Sequence, residues 1–131
     1  MKALWLAALA ACSAPQPPPG SAGPAEAVQD FAAALQRGDA ATAWSLLSQK
    51  SQQRADALAA AARARAGDAG PPSGRQMLFN GALPGRAADA RVVSQSGDSA
   101  EVQTSEVGGP PRVWHVVRES GRSRIDLDLG H

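Results

Sequence analysis

The sequence predicts an α+β fold in which helices from the first half of the chain pack on an antiparallel sheet from the second half. Between Ala25 and Ala66, apolar residues recur every three to four positions, which is the period of an amphipathic helix. From Asp89 onward they recur every second position, which is typical of half-buried strands, and glycine-containing turns separate the runs. Because the helices precede the strands and do not alternate with them, we expect them to cover one face of the sheet.

Length and charge limit the classes of protein. The chain of 131 residues has room for one domain of ordinary size and an extension. Thirteen Lys and Arg oppose 12 Asp and Glu without a run of five like charges, so the basic surface of a nucleic-acid-binding protein is missing. We therefore expect no nucleic-acid partner. With no tyrosine and much of the apolar content supplied by alanine, the core must rely on small side chains and a few aromatic ones.

Residues 1–11 are typical of an export signal. Lys2 supplies a positive charge near the start, and residues 3–11 form an apolar stretch. This stretch is shorter than the roughly 20 residues that a membrane-spanning helix needs. The segment therefore indicates export and not a membrane span.

The signal segment ends in a lipidation motif. Leu9, Ala10, Ala11 and Cys12 resemble the lipobox of bacterial lipoproteins, in which an aliphatic residue and two small residues precede a cysteine. A thiolate is the nucleophile that can take a diacylglyceryl group as a thioether. The alternative is an unmodified cysteine buried in a short helix, but proline enrichment begins three residues later. The resemblance implies that Cys12 becomes the first residue of the mature chain.

A lipidated Cys12 would anchor the protein in a membrane of the bacterial cell envelope through palmitate and related acyl chains. Ser13 follows the cysteine where an Asp would favour the inner membrane, so the resemblance implies the outer membrane, facing the periplasm. Residues 12–24 form the lipidated tether, because residues 13–24 hold five prolines, two glycines and no charge. The folded domain is then expected over residues 25–131.

Three helices are expected in the first half of that domain. The first begins near Pro24 and ends at Gly38, and Asp39 caps the second. Ser48 begins the third, which runs to about Ala66. The expected apolar faces are Val28, Phe31, Ala32 and Leu35; Ala40, Ala43, Trp44 and Leu47; and Ala55, Leu58, Ala59 and Ala62.

The third helix is basic, since it carries Arg54, Arg63 and Arg65. Two interpretations stay open. The arginines form a solvated helix face, or they contact an anionic surface such as lipid headgroups or a cell-wall polymer.

A loop containing Met77, Leu78 and Phe79 leads into four expected strands, at residues 89–96, 99–107, 112–118 and 122–129. Turns are expected at Gly97 and Gly121 and at residues 108–110. Connected in this order, the strands form an antiparallel meander.

The last strand has the clearest pattern. Three apolar residues alternate here with two acidic ones: Ile125, Leu127 and Leu129 with Asp126 and Asp128. The side chains of the apolar residues are therefore expected in the core, and the two carboxylates in water. A catalytic carboxylate pair is the alternative interpretation. The alternation itself favours a solvated face.

These elements resemble the NTF2-like superfamily. The resemblance is carried by residues 34–48, "ALQRGDAATAWSLLS", and by residues 112–129, "RVWHVVRESGRSRIDLDL", together with the exported leader. It implies helices packed on a curved antiparallel sheet, the NTF2-like or cystatin-like cone, which encloses a conical pocket. This chain has Ser123 where the family commonly has an aromatic residue in the last strand.

Five residues are candidates for lining that pocket: Trp44, Met77, Phe79, Trp114 and His115. His115 is the one histidine inside an expected element. The pattern does not decide which side of its strand is buried, because both sides carry apolar residues. We interpret His115 as a surface or structural residue and not as a general base, since neither tyrosine nor a second histidine within an element is present to complete a catalytic group.

The expected function is therefore a membrane-anchored, non-catalytic envelope lipoprotein whose domain binds a small apolar ligand or a protein partner. No catalytic residue, metal site or cofactor is predicted, because no metal-ligand cluster or phosphate-binding loop occurs in the sequence. Two alternatives stay open. One is a small NTF2-like enzyme of the dehydratase, isomerase or hydrolase type, and the other is a scaffold domain whose cone is filled by its own side chains.

Overall fold

A computed structural model of the chain describes residues 20–79, 89–105 and 110–129. The export signal at residues 1–11, Cys12 and residues 13–19 of the tether lie outside the described residues.

The three expected helices are present, and a fourth follows them. The helices are α1 (Pro24–Arg37), α2 (Ala40–Ser45), α3 (Gln49–Ala66) and α4 (Gly74–Phe79), with a 3₁₀ turn at Gly67–Ala69. Gly38 ends α1 with a φ of 70°, a left-handed conformation that glycine adopts without strain. The side chains of Asp39 and Ser48 cap α2 and α3, because each accepts a hydrogen bond from the backbone three residues later. The predicted helix boundaries are confirmed.

Within the described residues, four antiparallel strands form one sheet, in the order in which they occur along the chain. The strands are β1 (Asp89–Ser96), β2 (Ser99–Ser105), β3 (Arg112–Glu119) and β4 (Arg122–Asp126). Ser120 and Gly121 both have positive φ, as a two-residue turn between antiparallel strands requires. The α+β class and the antiparallel meander are confirmed.

Two short segments continue the sheet beyond β4. The backbones of Ser21 and Ser123 exchange hydrogen bonds of 2.9 and 2.8 Å. The backbone of Ile125 donates to Leu46 and accepts from Ser48, each at 2.7 Å. Residues 20–24, which the sequence analysis assigned to the tether, therefore include a segment paired with β4 and the first residue of α1.

The core lies between α1 and one face of the sheet. Phe31 of α1 is buried against a cluster that includes Val102, Val116 and Ile125 from successive strands. This arrangement decides the orientation of β3, which the sequence left open. Val116 is buried on the core side, whereas Val113, half exposed, lies on the opposite side.

The segment expected to be a loop at residues 77–79 belongs to α4 instead. Gly74 begins this helix against α3, where its backbone nitrogen donates to the carboxylate of Asp56 at 2.9 Å. A side chain at Gly74 would collide with the backbone of Ala55 and Asp56. Six residues are too few to show a helical period in the sequence, so the local pattern did not predict this helix. Its close packing against α3 stabilises the helical conformation instead.

The last strand is shorter than expected, because β4 ends at Asp126 and not at Leu129. The backbone nitrogen of Leu127 donates to the hydroxyl of Ser51 on α3 at 2.8 Å. The alternating apolar and acidic residues at positions 127–129 therefore follow the strand and do not belong to it.

Candidate functional site

A cleft of about 790 Å³ opens between α3 and the C-terminal end of β4. Its walls come from three parts of the fold, and we call it the α3–β4 cleft. Helix α3 contributes Lys50, Ser51, Gln53 and Arg54, β3 contributes His115, and the other wall consists of residues 126–129.

A hydrogen-bond network at the base of the cleft joins α3 to β4. The Ser48 hydroxyl lies 2.8 Å from Oδ1 of Asp126, and the Ser51 hydroxyl lies 3.3 Å from the same oxygen. The two hydroxyl oxygens are 2.9 Å apart, and both serines are buried. Asp126 is therefore the hydrogen-bond acceptor that satisfies two buried hydroxyl groups.

The first turn of α3 is fixed on the sheet by this network and by the backbone. Ser48 caps α3 and also donates its backbone N–H to Ile125. The backbone nitrogen of Gln49 donates to the carboxylate of Glu119, at 3.1 and 3.2 Å from its two oxygens. These contacts fix the start of α3 against the ends of β3 and β4 and so set the position of the α3 wall of the cleft.

The α3 wall is positively charged. Lys50 and Arg54 lie one helical turn apart and both line the cleft. Nε of Arg54 is enclosed, and no described residue accepts a hydrogen bond from it. Because this nitrogen is sealed by protein atoms, a ligand oxygen in the cleft would meet the terminal nitrogens of the Arg54 guanidinium and not its Nε.

His115 lies on the exposed side of β3, directly opposite Asp126 in the β3–β4 register. Both residues also border a second cleft of about 230 Å³ on the same side of the sheet. No hydrogen bond joins the imidazole to a described residue. The pair is thus adjacent, but Asp126 accepts from the serines and does not orient the histidine.

The aromatic candidates for a pocket lie on the core side of the sheet. The ring of Phe31 contacts Phe79 and Trp114 edge to face, with centroids 6.0 and 5.9 Å away. The indole nitrogen of Trp114 donates to the hydroxyl of Thr104 at 3.1 Å. Trp44 packs against the same core cluster.

The structure therefore brings Phe79 and Trp114 together around Phe31 and separates both from His115. Met77 is half-buried on α4. Phe79 also borders a cleft of about 460 Å³ formed mainly by α4. The described aromatic residues contact one another and the core at this position.

Sequence reasoning missed the contribution of Ser48, Ser51, Lys50 and Asp126 to one site. The cap at Ser48 was recognisable, and a second serine three residues later was a local signal. Nothing local indicated that both hydroxyls would meet a carboxylate more than 70 residues away.

Comparison of the chain with protein-family models, with curated proteins and with solved structures yields no match. Over residues 20–79, 89–105 and 110–129, no helix combines the length and apolar character that crossing a membrane requires. In the same residues, no group of three or more His, Cys, Asp or Glu side chains is placed to hold a metal ion.

Proposed function

We propose that this protein is a lipid-anchored domain of the bacterial cell envelope that acts by binding a small ligand, without turnover, and that the α3–β4 cleft is its binding site. The lipobox at residues 9–12 supports the anchor and the location in the envelope, and Ser13 after the cysteine supports the outer membrane. The helices that precede a four-stranded antiparallel sheet are compatible with an NTF2-like domain, which we also propose.

The volume and lining of the α3–β4 cleft carry this proposal. At about 790 Å³, the cleft is within the range of about 300 to 1,000 Å³ that is typical of small-molecule sites. The mutual contacts of Phe31, Phe79 and Trp114 favour a filled interior on the other side of the sheet. We therefore propose the α3–β4 cleft, and not the aromatic interior, as the binding site.

A small enzyme is the second candidate, and one observation favours it. His115 and Asp126 are cross-strand neighbours, and both line the cleft. A general base of this kind needs a partner that orients its imidazole, and no hydrogen bond joins His115 to Asp126 or to another described residue. This arrangement favours binding over turnover.

An NMR titration of the full-length chain tests the proposal. The panel contains organic acids, short peptides, sugars and acyl amphiphiles. We expect at least one compound to shift the amide signals of Arg54, His115 and Leu127. Gln53→Trp should obstruct the cleft and abolish the shifts, whereas Gln76→Trp, the same change on α4, should leave them intact.

The other hypotheses give different results in this experiment. Shifts centred on Trp44 and Trp114 would support an apolar ligand in the core-side interior. No shift with any compound would support the scaffold. Turnover of a panel compound that is lost in His115→Ala would establish the enzyme.

A further inference from the structure

We propose that the ligand of the α3–β4 cleft is a small zwitterion, a molecule that carries both a carboxylate and an ammonium group. A short peptide with both ends uncapped is the simplest member of this class. The inference rests on the proposed function, because it names the ligand class of the same cleft.

The charges that line the cleft are separated by wall. Lys50 and Arg54 lie on the α3 wall, and Asp126 and Asp128 lie on the opposite wall. Neither Lys50 nor Arg54 forms an ion pair with a described residue. The two cationic side chains and the carboxylate of Asp126 thus line the same cleft from different walls.

This separation selects against ligands of a single charge sign. An anion attracted by Lys50 and Arg54 would approach the carboxylate of Asp126, and a cation attracted by Asp126 would approach the two basic groups. A ligand with one charge at each end avoids both repulsions. Such complementarity gives specificity as well as attraction.

Arg54 provides the contact for the ligand carboxylate. Arg54 lines the cleft and forms no hydrogen bond or ion pair with a described residue. Guanidinium groups bind carboxylates through two parallel hydrogen bonds, and such charge-assisted bonds are stronger than neutral ones. Lys50, one turn earlier on α3, adds a second positive charge at the same end.

Asp126 provides the contact for the ligand ammonium group. Its Oδ1 receives the hydroxyls of Ser48 and Ser51, whereas no described residue donates a hydrogen bond to its Oδ2. The serines fix the carboxylate in position, so the second oxygen is oriented before a ligand arrives. Leu127 and Leu129, on the same wall, offer apolar surface to the ligand between its charged ends.

Calorimetric titration of the full-length chain with leucylalanine, its N-acetyl form and its C-terminal amide tests the inference. We expect the uncapped dipeptide to bind, and each cap to weaken binding about ten- to a hundredfold, because each removes a hydrogen bond between charged groups. Binding should weaken as salt is added. An uncapped dipeptide that does not bind, or binds no better than either capped form, would overturn the proposal.

Two variants test which end of the ligand Arg54 and Asp126 each bind. Arg54→Gln should remove the preference for the uncapped carboxylate and keep the preference for the uncapped amine. Asp126→Asn should do the reverse, while its amide oxygen still accepts from the serines, and a melting curve checks its folding. Arg65→Gln, the same substitution on α3 outside the cleft, should bind like the parent protein.

The NMR and calorimetric titrations together show whether the ligand class, the binding site or both are wrong. If panel compounds shift the NMR signals of the cleft but capped and uncapped peptides bind equally, the proposed ligand class is wrong, whereas the α3–β4 cleft remains the binding site. If nothing shifts the cleft signals, both are wrong. If the uncapped dipeptide binds equally well to Arg54→Gln, Asp126→Asn and the parent protein, the assigned contacts are wrong.

Discussion

The hydroxyl of Ser48 lies 2.8 Å from Oδ1 of Asp126, although the two residues are 78 positions apart. Through this bond the residue that caps α3 also contacts the last residue of β4. The alternating pattern of the last strand predicts that Asp126 is solvated like Asp128. Asp128 is exposed as expected, but Asp126 is half-buried and accepts hydrogen bonds from buried serines.

Asp126→Ala should lower the free energy of unfolding by about 1 to 3 kcal/mol, because it leaves the buried hydroxyls of Ser48 and Ser51 without their carboxylate acceptor. Asp68→Ala, a change at an exposed carboxylate outside this network, should cost less than about 0.5 kcal/mol. Urea unfolding of both variants is the measurement. Equal decreases in the free energy of unfolding of the two variants would show that the hydrogen-bond network does not stabilise the fold.

Ile125→Ala should destabilise the protein by about 2 to 5 kcal/mol, since this side chain is fully buried in the core. Leu127→Ala should cost less, because Leu127 is half-buried beyond the end of β4. Thermal and denaturant melts of the two variants provide the comparison. A larger loss at Leu127 would mean that β4 continues past Asp126 with Leu127 in the core.

Asp39 should make stability depend on acid pH. Hydrogen bonds from the hydroxyl and the backbone nitrogen of Thr42 hold the pKa of Asp39 below its usual value of 3.8. A carboxylate with a lowered pKa in the folded state stabilises that state above pH 3.8, and this contribution is lost as the pH falls through the folded-state pKa.

Asp39→Ala should therefore lower the melting temperature at neutral pH, and the difference from the parent protein should narrow toward about pH 2. Asp39→Asn is the matched control, because an amide oxygen can still cap α2 but carries no charge. A difference between Asp39→Ala and the parent that stays constant with pH would contradict a role for the ionised carboxylate.

Cys12 should be the acylated first residue of the mature protein. Intact-mass measurement of the membrane fraction checks this, and Cys12→Ala should abolish the added lipid mass. Removal of residues 1–11 takes away Lys2 and no acid, which leaves 12 basic and 12 acidic residues. With no net charge to bind it to the membrane, the acylated protein should stay there in high salt, whereas Cys12→Ala should be released. An unmodified chain with a different first residue would contradict lipidation.

The sequence by itself determined those elements whose signals are local. Gly38 ends α1 and Asp39 and Ser48 cap the next helices, because capping depends on hydrogen bonds and backbone angles within a few residues. Alternating apolar residues and the turns at Gly97 and Gly121 likewise located the strands, apart from the end of β4. Such features need no knowledge of distant parts of the chain.

Only the tertiary structure decided which side of β3 is buried. Val113, Trp114, Val116 and Val117 place apolar groups on both sides of the strand, so the period of two has no preferred face. Packing of Phe31 from α1 against the side that bears Trp114 and Val116 settled the choice. His115 was thereby assigned to the cleft side of the sheet.

The cleft, too, was decided by contacts between distant residues. Lys50 and Arg54 were ordinary basic positions of a helix in the sequence, and Asp126 was an ordinary polar position of a strand. They line one cleft because Ser48 and Ser51 bind Asp126 and hold the start of α3 against the end of β4. Hydrogen bonds across more than 70 residues leave no period or spacing in the sequence, so this site could be found only in the folded chain.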